Sequence, residues 1–413
     1  MYKHLLSFII IVLLLLTLGG CWSKREIEDI AVVTIMGFDR VTVNGKDQWL
    51  LSRKILKPRN LAGESPLGGG QGGKGEEPGF IVSSIGDTIS ETARDASTRI
   101  PRQEFVAHAN IIIIGERLAR EGVDQLIDAV LRYKDIRLNS HVLVTKGRAI
   151  DVLKSKPELE QVLSQEIMGL IETNQVAASK AFIIDMKGFI NQLITPGQDA
   201  TASYIEIFQR VGEGIGDNLS EGSSTTADTG GEKTLRLRGT SVFKKNRLVG
   251  VLGDRETKGY LYAIGKAKHG IITLSVKGHE PKDIAFSMTR ARSKIIPNVE
   301  DGNISFIIDI KAEGDFVQHE GTKSISHPES IREIEKAAAD EIKKMVQETI
   351  KKAKVEYEAD IFGLGERLHK TYPAVWRQVE QDWAEIYPSV EVAVNVETKI
   401  RRIGMISDTP VIR

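Results

Sequence analysis

Ile304-Ser305-Phe306-Ile307-Ile308-Asp309-Ile310-Lys311 is the clearest strand in the chain. Ile304, Phe306, Ile308 and Ile310 fall on one face of an extended backbone, with Ser305, Asp309 and Lys311 on the other, the period of a half-buried strand. Two β runs precede it, at residues 271–277 and 285–295, and Val390, Val392, Val394 and Val396 repeat the alternation near the C-terminus. Between them Pro328 opens a helix to about residue 354, with Ile331, Ile334, Ala338, Ile342, Met345 and Thr349 three and four apart on one face. A helix with one apolar stripe and strands with one apolar face bury both by lying together. The expectation for residues 267–413 is therefore a four-stranded antiparallel sheet covered by a long helix.

Upstream, strands alternate with helices. In residues 149–266 the spacing predicts an amphipathic helix over 157–172, with Leu159, Val162, Leu163, Ile167 and Leu170, and a second over 180–193 that Pro196-Gly197 stops. Strands at 204–210 and 234–243 flank a Gly, Ser, Thr and Asp stretch at 212–231, too polar to bury, and a short helix over 256–264 closes the segment. In residues 21–148, β runs at 31–43 and 48–56 are separated by Asn44-Gly45, a strong hairpin signal. A strand at 80–84, a helix capped by Asp87, a strand at 110–114, a helix over 123–133 with Leu126, Ile127, Val130 and Leu131, and a strand at 141–145 follow. The fold class is α/β (α+β), in three mixed domains at 21–148, 149–266 and 267–413.

Between the second and third strands lies Gly68-Gly69-Gly70-Gln71-Gly72-Gly73-Lys74-Gly75. It nearly matches a phosphate-binding loop, but Gly75 stands where Ser or Thr must hold magnesium, and Glu76-Glu77-Pro78-Gly79 follows where a helix must open. A hairpin loop of biased composition is the reading.

The first twenty residues form a secretory signal: Lys3, an apolar run over 5–16, then Gly19-Gly20 ahead of the chain's one cysteine, Cys21. The run is shorter than the roughly 20 apolar residues that span a bilayer. Leu18-Gly19-Gly20-Cys21 resembles a bacterial lipobox, which implies a diacylglyceryl group on the Cys21 thiol and cleavage before it. Two acyl chains give stable anchoring without a helix. Balanced charge, Lys+Arg 56 against Asp+Glu 56, offers no basic field for nucleic acid. With Cys21 lipidated no thiol is left for a disulfide, so the body depends on its core, for which 41% hydrophobic residues suffice.

Beyond the cysteine, Trp22-Ser23-Lys24-Arg25-Glu26-Ile27-Glu28-Asp29 and Gly37-Phe38-Asp39 resemble the opening of the mature Ger(x)C proteins, the lipoprotein C subunits of germinant receptors in endospore formers. Gly86-Asp87-Thr88-Ile89, His108 with 111–116, and Asp360-Ile361-Phe362-Gly363-Leu364-Gly365 with Trp376 continue the resemblance along nearly the whole chain. Ser23 departs from it, where an acidic residue is frequent. The resemblance implies two polytopic membrane subunits (A and B type) as partners and a lipid-held position on the outer face of the spore inner membrane. Trp22, Arg25 and Glu26 would then either meet a membrane-proximal partner or seat the tether on their own domain.

Catalytic chemistry is not legible. The eight histidines are scattered with no zinc spacing, no Gly-x-Ser-x-Gly elbow occurs, and Glu76-Glu77 sit where nothing desolvates them. Three function classes follow: a non-enzymatic receptor subunit needed for nutrient-triggered germination, a solute-binding lipoprotein of a transporter, and an envelope hydrolase. The resemblance favours the first, with no catalytic, cofactor or metal residues assigned.

Overall fold

The computed structural model describes residues 2–4, 8, 29–57, 78–209, 233–275, 284–319 and 327–402. The glycine tract at 68–75 and the polar stretch at 212–231 lie outside the described residues.

β1 (Ile30–Val43) and β2 (Lys46–Leu56) pair antiparallel around Asn44 and Gly45, whose φ values of 51° and 77° are the left-handed pair that a tight hairpin turn needs. β3 (Gly79–Gly86) pairs with β2 as far as Leu56 opposite Gly79, so the glycine tract joins two hydrogen-bonded neighbours. α1 (Ile89–Asp95) follows, then β4 (Gln103–Phe105) and β5 (Ile111–Gly115). α2 (Glu116–Glu121) and α3 (Asp124–Arg132) cross to β6 (His141–Thr145). α4 (Ala149–Leu153), α5 (Leu163–Thr173) and α6 (Met186–Ile194) lead to β7 (Thr201–Gln209). β8 (Lys233–Lys244) and β9 (Arg247–Leu252) end this sheet, and α7 (Asp254–Ala263) leaves it.

These strands make one nine-stranded sheet in the order β3-β2-β1-β5-β6-β7-β8-β9, with β4 beside the start of β1. Its centre, β1-β5-β6-β7, is parallel and its flanks are antiparallel hairpins. Ile112 and Ile114 face one core layer with Leu126 and Phe189, whereas Ile111 and Ile113 face the other with Val152 and Ile167. Burial on both faces explains why this strand reads as a continuous apolar run. Because β6 pairs with β7, the boundary expected at 148/149 falls inside a single sheet.

The second sheet has the order β10-β11-β12-β13, from β10 (Gly270–Leu274), β11 (Ile284–Glu300), β12 (Asn303–His319) and β13 (Glu391–Arg402). Phe306, Ile308 and Ile310 are buried, as the alternation requires. α8 (Pro328–Lys351) covers the sheet, with Ile334, Ala338, Ile342 and Met345 buried and Glu335 accepting a hydrogen bond from the Ile400 N–H at 2.9 Å. The closing strand corrects one expectation: β13 runs parallel to β12, so only the first three strands form an antiparallel meander. α9 (Leu364–Thr371), α10 (Pro373–Val379) and α11 (Trp383–Ile386) lie between α8 and β13, and this helical connection returns the chain to the same end of the sheet.

The two sheets are locked together through α7 and α8. A Cβ on Gly259 of α7 would stand 2.3 Å from the Thr349 Oγ1 of α8, so the helices touch backbone to side chain. Thr349 donates to the Glu256 carbonyl at 3.0 Å, and Arg255 pairs with Glu341 and Glu348 at 2.5 and 2.6 Å.

Candidate functional site

The segment Asp360-Ile361-Phe362-Gly363-Leu364-Gly365 closes the joint between the sheets. Asp360 is buried, and its carboxylate accepts from the Leu364 N–H at 3.0 Å, the Gly365 N–H at 2.9 Å and the Trp383 indole N–H at 3.1 Å. It thereby caps the N-terminus of α9, where Gly363 at φ 67° takes the left-handed turn. Burial pushes the Asp360 carboxyl up to about 7 against the pull of those donors, with Asp199 adding repulsion.

Asp199 is its counterpart from the first sheet. Its carboxylate accepts from the Lys245 N–H in the β8–β9 turn at 2.7 Å and from the Asp360 N–H at 2.8 Å, and its own N–H donates to the Asp360 carbonyl at 2.8 Å. Burial raises its pKa as well. Nearby, Gly197 and Gly365 meet so closely that a Cβ on Gly365 would lie 2.7 Å from the Gly197 Cα and 2.6 Å from the Trp383 indole nitrogen. Trp376, Trp383 and Tyr387 pack edge to face or tilted beside them, with ring centroids 5.6 and 6.3 Å apart. Both oxygens of each carboxylate accept from N–H groups, so the pair acts as a staple.

A cleft of about 610 Å³ opens over this staple, walled by α3, the end of α6, the β8–β9 turn and α11. Leu131 and Ile194 stand exposed in it, at 56% and 69%. Its lining carries acids, lysines, amides and apolar side chains, and Lys244 is paired there with Glu358 at 2.7 Å. Among the described residues no cluster of three or more His, Cys, Asp or Glu side chains is arranged for a metal.

Two other motifs from the sequence form further junctions, one to backbone and one to side chains. Asp39 accepts from the Ala149 and Ile150 N–H groups at 2.7 and 3.1 Å, capping α4, and burial pushes it up to about 6. A Cβ on Gly115 would run into that carboxylate. Asp87 bonds Lys46 at 2.5 Å and Gln48 at 2.8 Å, while Thr88 caps α1 in its place. His108 is exposed. Cys21, Trp22, Arg25 and Glu26 lie outside the described residues. Asp199 and Gly197 were missed from sequence, where Pro196-Gly197 signals only a helix stop.

Both halves of the chain match known spore germination families. Residues 23–207 match the family described as "Spore germination protein N-terminal domain", and residues 238–404 match "Spore germination B3/ GerAC like, C-terminal". The chain belongs to the Ger(x)C family. This Ger(x)C chain is 27% identical over 410 residues to Spore germination protein KC of Bacillus subtilis (strain 168), covering 98% of this chain and 97% of that protein. It is 26% identical over 427 residues to Spore germination protein YndF of the same organism, covering 98% of each. Spore germination protein B3 is 24% identical over 410 residues, covering 97% of this chain and 98% of the relative. The crystal structure of the GerBC protein superposes with a TM-score of 0.52 at 19% identity, covering 89% of this chain and 97% of that one, and shares the fold. The Ger(x)C halves meet at the staple: Asp199 belongs to the N-terminal match and Asp360 to the C-terminal one.

Proposed function

We propose that this chain is the lipid-anchored, non-enzymatic C subunit of a spore germinant receptor. It is held by a diacylglyceryl group on Cys21 at the outer face of the spore inner membrane, beside two polytopic A- and B-type subunits. The observation that carries this reading is the ordered match of both halves of the chain to spore germination families. No helix of the described residues is long and apolar enough to cross a membrane; the lipid attachment proposed here is supported by the short apolar run ending in Gly19-Gly20-Cys21. A subunit that works by contact needs a rigid body, and the staple and the α7–α8 contact supply one. A solute-binding lipoprotein is less well supported, since a nine-stranded and a four-stranded sheet are not matched lobes.

Affinity purification of the tagged chain from solubilised spore inner membranes tests the reading. Two polytopic membrane proteins should co-purify in constant proportion. Recovery of the chain alone, or from the soluble fraction, contradicts it.

A further inference from the structure

A second cleft, also of about 610 Å³, borders the same joint, and Gln198 lines both. Its walls are the end of α7, the middle of β11 and the outer side of α9. Four cations line it, Lys266 after α7, Lys294 on β11, and Arg367 and Lys370 on α9, against one carboxylate, Glu366. Glu366 is already taken by Lys370 at 2.5 Å. Lys266, Lys294 and Arg367 have no ion pair among the described residues. The chain as a whole carries no net charge, so this local surplus does not follow from composition. Lys266 is held with its ammonium 4.8 Å from the Phe182 ring centroid, an arrangement that fixes the cation without neutralising it. Phe362 and Tyr372 add apolar surface to the same cleft.

Three unpaired cations delivered by three separate elements into one concavity focus a positive potential there. The planar guanidinium of Arg367 suits a bidentate oxyanion, and the two ammonium groups add point charges beside it. We propose that this cleft binds a phosphate-bearing ligand, with Lys266, Lys294 and Arg367 on the phosphate and Phe362 and Tyr372 against the remainder. A soluble phosphate ester and a phospholipid headgroup present the same chemistry. The inference is independent of the receptor role, because it rests on the cleft alone.

The test uses the full-length chain in uncharged detergent, with thermal stability as the readout. One arm titrates inorganic phosphate against sodium chloride of equal ionic strength. The other adds dioctanoyl phosphatidylglycerol or dioctanoyl phosphatidylcholine to the micelles. Phosphate or phosphatidylglycerol should raise the melting temperature beyond its control. The combined variant Lys266→Gln, Lys294→Gln, Arg367→Gln should weaken the apparent affinity at least about tenfold, roughly one charge-assisted contact, while Lys343→Gln on α8 should not. A response to phosphate alone assigns a soluble ester, and a response to phosphatidylglycerol alone assigns a headgroup. If the combined variant misfolds by circular dichroism, Arg367→Gln alone takes its place, since that side chain is exposed. No response beyond the controls, or equal responses in wild type and variant, overturns the proposal.

Discussion

Asp360 shows how one residue can hold two halves of a chain. Its three N–H donors come from the α9 cap and from Trp383, and its backbone is bonded to Asp199, 161 positions away. In Asp360→Asn an amide group must face N–H donors, leaving at least one of them without an acceptor. The cost of an unsatisfied buried group is about 1–3 kcal/mol, which denaturant unfolding at neutral pH would read. Its pH dependence has a fixed sign. The folded carboxyl titrates at about 7 against an unfolded value near 3.9, so folding favours the proton. Stability from this group is complete below about pH 4 and is lost as pH rises toward 7. Asp39, at about 6, acts in the same direction. The melting temperature of the wild type should therefore rise between pH 7.5 and pH 5, and Asp360→Asn should flatten that rise. An unchanged slope in the variant would show that the staple does not titrate. Sequence motifs pointed to Asp360, Gly363, Gly365 and Trp376, yet Asp199 carried no signal, because what makes it matter is a contact across the whole chain. At the other end, Cys21→Ser should abolish labelling by a clickable fatty acid, and a variant labelled as well as wild type would remove lipid from the account.

Among elements, periodicity was legible where one face or two are buried: the alternation of residues 304–311, the uninterrupted run Ile111–Gly115 and the stripe of α8 all appear as elements with those residues inside. Boundaries and directions were less so. The helix expected from 157 begins at Leu163, because Glu166 accepts the N–H groups of Leu159 and Glu160 at 3.2 and 3.1 Å and holds the preceding turn open. Leu159 consequently stands 92% exposed. The helix expected from 180 begins at Met186, where Asp185 caps it by accepting from the Gly188 N–H at 2.7 Å. β13 alternates as read, but whether it runs with or against β12 depends on the path through α9–α11, which no local pattern encodes. The glycine tract belongs to this scale. Since the β2–β3 pairing is already complete at Leu56 and Gly79, outside the tract, replacing residues 68–75 by an Asn-Gly turn should leave stability within about 1 kcal/mol, loop length costing only about 0.6 kcal/mol per doubling. Urea unfolding of the two forms checks this, and a loss of several kcal/mol would mean that the tract makes contacts the hairpin needs.

As a whole molecule the chain is two sheets of unequal size clamped by a pair of helices and a buried carboxylate staple. The family reading concerns this assembly, because both family matches are needed to build the joint. The central claim is that the chain works by contact within a membrane receptor, turning nothing over. Germination of spores lacking the chain tests it most directly, with nutrient and a receptor-bypassing trigger compared on the same spores and complementation by wild type and Cys21→Ser. Loss of the nutrient response alone, restored by wild type and poorly by Cys21→Ser at equal abundance, is the predicted result. A normal nutrient response in the deletion, or full rescue by the unlipidated variant, would contradict the account.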